Sequence, residues 1–161
     1  MGWSRRVAQV SAVVIFPAGC FGVTPTPLTR PVTGSLVFLK NGGIYGVFDP
    51  DSAAACETLR QRDLDRRSPT VARQVGVTTA KARSALEAAM SGCTRAEITP
   101  TNYTQATAWL SVVRVTYLGA SYLHVLGART ERDCRDLLRG DDGVEGSAHG
   151  VLCQPVRVEE R

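Results

Sequence analysis

At 161 residues the chain is long enough for one ordinary domain with a buried core. Its formal charge of +4 overstates any pull toward nucleic acid: without Arg5 and Arg6, which fall in an N-terminal segment that reads as removable, 17 of the 19 basic side chains remain against 15 acidic ones. Aromatic residues make up 6 % of the chain, too few for a base-stacking platform, so nucleic acid is not an expected partner.

Residues 1–19 read as an export signal. Arg5 and Arg6 form a short positive start, and Val7 to Phe16 is apolar apart from Gln9 and Ser11. The run is shorter than the ~20 apolar residues of a spanning helix and suits the central region of a signal peptide. It ends in Pro17-Ala18-Gly19-Cys20. These four residues resemble the lipobox of bacterial lipoproteins, with Pro17 where that family has an aliphatic residue. The resemblance implies a diacylglyceryl (palmitate-type) anchor on Cys20, which becomes the mature N-terminus. Phe21 is similar to the residue that follows the cysteine in outer-membrane members, which implies an envelope location facing the periplasm in a two-membrane bacterium. An ordinary cleaved signal, giving a secreted or soluble periplasmic protein, is the alternative.

Residues 20–34 are rich in Pro and Thr. Proline fixes φ and has no N–H to donate, so this stretch is expected to be an extended, unpaired tether. A first half follows over 35–99. Leu36–Leu39 and Ile44–Phe48 flank Lys40-Asn41-Gly42-Gly43, a hairpin signal because Asn and Gly tolerate positive φ. Asp51 or Ser52 can cap a helix that places Cys56 and Leu59 on one face. The charged run Arg60 to Arg67 reads as a solvated face, and Pro69 is expected to stop the helix. A second helix starts at Thr78 or Thr79. Its stripe is Ala82, Ala85, Leu86, Ala89 and Met90, and Gly92 is the expected left-handed cap. Cys93 and a short extended piece, Ala96 to Ile98, close the half.

Residues 100–107 read as a linker, and the Asn102-Tyr103-Thr104 sequon as chance. The second half, 108–158, opens with the most strand-like segment: Trp109, Ser111, Val113, Val115 and Tyr117 alternate with Leu110, Val112, Arg114 and Thr116. Leu118-Gly119-Ala120 turns into a second strand, Ser121 to Leu126. Thr130 caps a helix with Asp133 three residues on; Cys134, Leu137 and Leu138 form its expected buried stripe. Asp141 to Gly150 is a polar, Gly-rich loop. Val151 to Gln154 is a last short strand, and Pro155 is expected to relegate the residues after it to a sheet edge.

Five cysteines are an odd number. With Cys20 carrying lipid, Cys56, Cys93, Cys134 and Cys153 remain, an even set that reads as two disulfides in an exported protein. No close pair suggests a zinc site. Setting Cys56 on Cys134 aligns the two halves without gaps for some twenty residues: Ser52 falls on Thr130, Val47 on Val125 and Val37 on Val115, and the first half carries an extra helix. An internal duplication is therefore expected, and the fold class is α+β: two ββα-type repeats, antiparallel sheet with helices packed on one face, stapled by disulfides. The duplication favours Cys56–Cys93 and Cys134–Cys153, with two other pairings open.

No catalytic set stands out and no metal or cofactor is expected. His124 alternates within a strand and falls on Gly46 in the superposition; His149 lies in the Gly-rich loop near Asp141 and Asp142. No nucleophile elbow, phosphate loop or zinc-protease motif occurs. The expected function is a non-enzymatic, lipid-anchored envelope protein that docks on another envelope protein by a sheet edge or face. The alternative is a small-ligand-binding or enzymatic periplasmic domain with a cleft between the halves, lined by His124, Tyr122 or Arg114.

Overall fold

The structure, a computed structural model, describes residues 22–48, 52–117, 120–139 and 153–161. Cys20, His149 and the loop from Asp141 to Gly150 lie outside the described residues. In chain order the elements are β1 (Gly22–Pro25), β2 (Val32–Phe38), β3 (Gly43–Phe48), α1 (Ser52–Val75), α2 (Thr79–Ala88), β4 (Thr94–Pro100), a 3-10 turn (Tyr103–Gln105), β5 (Ala108–Tyr117), β6 (Ala120–Ala128), α3 (Glu131–Arg139) and β7 (Gln154–Glu160). Helices and strands are both present and two disulfides staple them, so the α+β class holds.

All strand pairings are antiparallel, in the order β1-β5-β6-β3-β2-β4-β7, and β7 pairs again with β5. Six strands, β2 to β7, thus close into a barrel. The antiparallel sheet carries helices on one face, as expected, and closure makes its other face the lumen. Closure also means that residues 32–100 and 108–160 meet at two hydrogen-bonded seams, β3–β6 and β4–β7, rather than across a cleft.

The lumen is apolar and filled. Leu36, Ile44, Phe48, Ala96, Ile98, Leu110, Val125 and Val156 form one buried cluster. A barrel this small has room for side chains only, and large residues must face small ones. Two such pairs recur. Leu36 lies opposite Gly46 on β3, and Leu110 lies opposite Gly127 on β6. A Cβ on Gly46 would run into Ser35 O and Leu36; a Cβ on Gly127 would run into Trp109 O and Leu110. Both strands can approach this closely only because glycine stands at the contact. This correspondence sets Leu36 with Leu110 and Gly46 with Gly127. The gapless superposition, Val37 on Val115 and Val47 on Val125, is out of step with it by four and three residues.

The expected unpaired tether is corrected. Residues 22–25 are extended but form β1, in register with Thr116 to Val113 of β5. Thr26 N–H donates to Val112 O at 2.9 Å. Leu28 is buried in the core cluster, and the Gln154 side-chain amide holds its backbone twice: Leu28 N–H donates to Oε1 (2.9 Å) and Nε2 donates to Leu28 O (2.7 Å). Proline there rules out helix, but it does not rule out an edge pairing only four residues long. Pro155 is another correction. It is the second residue of β7, opposite Trp109 in the middle of the three-pair β5 seam, and the β4 ladder begins one residue later at Val156, so the strand that follows it is paired on its β4 side rather than left as an edge.

α1 packs on β2 and β3, and α3 on β6 and β5. α1 does not stop at Pro69 but runs on to Val75. Cys56, Leu64, Ser68 and Ala72, spaced at multiples of four, are its buried residues, so the stripe continues past the proline. An interior proline costs about 3 kcal/mol, which that burial and the contact with α2 offset. Ser68 donates to Leu64 O at 2.5 Å, and Arg83 of α2 binds the Asp65 carboxylate and Gln61. The charged run is ion-paired along the helix, Glu57–Arg60 at 2.8 Å and Asp63–Arg67 at 3.3 Å. Gly76 (φ +71°) ends α1, with Val77 N–H donating to Ala72 O at 3.1 Å, the backward bond of a left-handed helix cap. Thr78 caps α2 as expected, through Lys81 N–H (3.2 Å), but the cap at its other end is Ala89, in right-handed conformation, rather than Gly92. Of the α2 stripe Ala82 alone is buried, and on α3 Leu137 is exposed while Cys134 is buried.

The bridges are Cys56–Cys93 and Cys134–Cys153. Each runs from the second turn of a helix to the residue before the strand that returns to the barrel. In the chain-entropy description, closing these loops stabilises by roughly 3–4 kcal/mol each, and the longer Cys56–Cys93 loop by about half a kcal/mol more than the other. Reduction should add four hydrogens to the intact mass, two per bridge. Cys56→Ala/Cys93→Ala should lower the urea midpoint more than Cys134→Ala/Cys153→Ala. Gly46→Ala and Gly127→Ala should each cost about 2–3 kcal/mol by overpacking. Gly76→Ala, with open space around it but positive φ, should cost about 1 kcal/mol; equal losses at all three glycines in urea unfolding would contradict the lumen packing.

Candidate functional site

The residues singled out from the sequence do not converge. His124 sits mid-β6, half-buried, paired in register with Val47 and Val113. Arg114 is exposed on β5 and donates to Ser121 Oγ at 3.4 Å. Cys56, Cys93, Cys134 and Cys153 are consumed by the two bridges. Among the described residues no group of three His, Cys, Asp or Glu side chains is arranged to hold a metal ion.

The polar cluster that the fold does assemble lies where the 3-10 turn, the start of β5 and α3 meet. Asn102 builds the turn: its side chain accepts from Gln105 N–H (3.1 Å) and from Thr104 Oγ1 (2.8 Å). The turn presents Tyr103, 59 % exposed, edge-on to Trp109 with ring centroids 6.2 Å apart. The Trp109 indole N–H is buried and has no hydrogen-bond partner among the described residues. Across from the rings stands the first turn of α3, where Thr130 Oγ1 accepts from Asp133 N–H at 3.1 Å, the expected cap. Glu131 accepts from Arg135 Nε at 2.9 Å and from the Tyr103 hydroxyl. Arg132 pairs loosely with Asp136 at 3.8 Å. Glu131, Arg132, Arg135 and Asp136 line a shallow, open hollow of about 320 Å³.

The electrostatics of this cluster move its two titratable groups away from neutral pH. The Tyr103 hydrogen bond, then Arg135, holds the Glu131 carboxyl below its usual value, and the same contact raises the Tyr103 phenol. A general acid or base works best with a pKa near the operating pH. Both groups are pushed the other way. What remains is a preset surface of one exposed Tyr, a half-buried Trp and an oriented Arg, three residue types that dominate binding hot spots. Taking 100–107 as a linker misses this cluster. Its signal is the Asn at 102 ahead of a polar triplet, which caps a turn and so fixes Tyr103 in space.

A second group of ionisable side chains is structural. Tyr45, on the outer face of β3, donates to Met90 Sδ at 3.8 Å. Burial, and then the nearby Asp63 carboxylate, pushes its phenol up to about 12. Glu57, on α1, is held down to about 2 by hydrogen bonds from Arg60 and Gln61. The Tyr45–Met90 contact ties β3 to the residues just after α2, while the Glu57 contacts stay within α1.

No protein-family model, curated protein or solved structure matches this chain.

For Tyr45 the sign follows from a raised pKa: the folded state keeps the proton longer than the unfolded chain. Its contribution to stability is whole below pH 10 and is lost as pH climbs through about 12. In an absorbance titration of tyrosinate, Tyr45→Phe should remove the step nearest pH 12 and flatten that part of the alkaline loss of stability. A step that survives the substitution would assign the late phenol elsewhere.

Proposed function

We propose that the chain is a lipid-anchored protein of the bacterial cell envelope that works by docking on another envelope protein. The observation that carries this reading is the cysteine pairing. Four cysteines bridge within the barrel layer, which leaves no other cysteine in the chain to pair with Cys20, the residue that ends the lipobox-like Pro17-Ala18-Gly19-Cys20. Disulfides that fasten both helical layers fit an oxidising compartment outside the cytosol, and a fifth cysteine placed behind an apolar export signal fits an acyl anchor. The docking surface in this reading is Tyr103, Trp109 and Arg135, because an aromatic pair and an oriented guanidinium offer contact area at little ordering cost.

An internal duplication completes the proposal. Residues 32–100 pair as β3-β2-β4 and residues 108–160 as β6-β5-β7. The Leu–Gly contact, the helix after the hairpin and the bridge into the following strand occur in both stretches. Duplication followed by divergence accounts for this, with α2 added in the first stretch and the Tyr103 turn placed between the two.

Cells expressing the full chain should incorporate radioactive palmitate into it, and Cys20→Ala should abolish the label. From detergent-solubilised membranes the wild type should retain a specific envelope partner. Tyr103→Ala with Arg135→Ala should lose that partner by about tenfold or more, on the scale of an interface hot spot, while keeping both disulfides. Label on Cys20→Ala, or a partner indifferent to the double substitution, would count against the anchor and the docking surface respectively.

A further inference from the structure

We infer that the protein sits directly on the bilayer, with the barrel end that carries the β5–β6 hairpin tip facing the lipid headgroups. This rests on the Cys20 anchor proposed above and adds an orientation to it. The observation behind it is how few residues separate Cys20 from a paired strand.

Gly22 is already in register with Thr116, and Pro25 with Val113. Below them the hold tightens: Thr26 N–H donates to Val112 O, and Leu28 is buried and bound at both backbone groups by Gln154. β1 and β7 lie end to end on the same edge of β5, β1 against Val113 to Thr116 and β7 against Ala108 to Leu110. The segment after residue 22 therefore has no slack to release. Two peptide units separate Cys20 from Gly22, a reach of at most about 7 Å. A glyceryl group on Cys20 lies at the boundary between headgroups and acyl chains, so Gly22 and Thr116 must lie close to that boundary.

Register then sets the rest of the barrel. Thr116 pairs with Ser121, which is exposed. Trp109, seven residues back along β5 and about 23 Å away at strand rise, pairs with Ala128, which pairs with Gly43. The exposed Lys40, in the β2–β3 turn, is thus at the opposite end from the anchor. A Pro/Thr-rich tether paid out over residues 20–34 would leave the barrel free to tumble above the membrane. The pairing of β1 does not allow it.

The test uses the full chain in growing cells, with palmitate labelling as the measure of the anchor. A photo-crosslinking p-benzoylphenylalanine is placed at Ser121 or at Lys40, with Arg114, exposed on the strand beside Ser121, as a second near-end position. A mobility shift on reduction reports that each variant keeps its bridges. Crosslinking to phospholipid should be at least about fivefold higher at Ser121 and Arg114 than at Lys40. Inserting roughly twelve Gly/Ser residues after Phe21, a flexible span of about 20 Å, should erase that difference while palmitate labelling stays unchanged. Labelled protein that crosslinks equally at both ends without the insertion would overturn the orientation and leave the anchor standing. Absence of palmitate on Cys20 would remove both.

Discussion

Three residue pairs, Ala108 with Val156, Trp109 with Pro155 and Leu110 with Gln154, convert an open sheet into a closed barrel. Without them β7 and β5 would each present a row of unpaired backbone groups, and the cluster around Leu36, Leu110 and Ile98 would be open along one side. Closure makes further demands. The curvature brings β2 against β3, and β5 against β6, so closely that Gly46 and Gly127 cannot carry a Cβ. The seam is short, so the rest of that β5 edge needs another strand, which β1 supplies. Gln154, the last seam residue, joins the two by gripping Leu28.

The layer outside the barrel is held differently. α1 and α3 rest on the outer face of the hairpins, and each is tied by a disulfide to the strand that follows it. At roughly 3–4 kcal/mol per bridge, the two are comparable to much of a typical domain's net stability of ~5–15 kcal/mol. The ion pairs on α1 and α3 are solvent-exposed in part and are worth little by comparison. They explain why a charged run such as Arg60 to Arg67 is compatible with a helix, not what holds that helix down. Leu64, Ser68 and Ala72 do that, with Tyr45 and Met90 at the hairpin.

What could be read from the sequence was local. Asn41-Gly42 is a turn because Gly42 takes φ +90°. Thr78 and Thr130 cap helices because a hydroxyl meets the third N–H on. The cysteines pair as the duplication favoured, since a helix followed by a returning strand brings those positions together. What could not be read depends on distant partners. Pro69 and Pro155 obey local rules that burial and barrel closure override. The run from Val23 to Gly34 looks unpaired until the vacant edge of β5 is known to exist. The closed barrel has no sequence signature at all, because the pairing of residue 108 with residue 156 leaves no periodic mark. The Tyr103 cluster was hidden for the same reason: its Glu131 and Arg135 lie on α3, across β5 and β6 in sequence.

Geometry also frames the two proposals. The lumen is packed and the seams are paired, so the proposed docking surface lies outside the barrel on α3 and the 3-10 turn, and β1 is paired from Gly22 on, two residues from the proposed anchor. Both depend on β7 closing against β5. Cross-strand nuclear Overhauser contacts in isotope-labelled protein measure this directly. The account predicts contacts linking Ala108, Trp109 and Leu110 to Val156, Pro155 and Gln154, with the backbone amides at this seam among the slowest to exchange. Absence of those contacts, with fast-exchanging amides along the start of β5, would show an open sheet and contradict it.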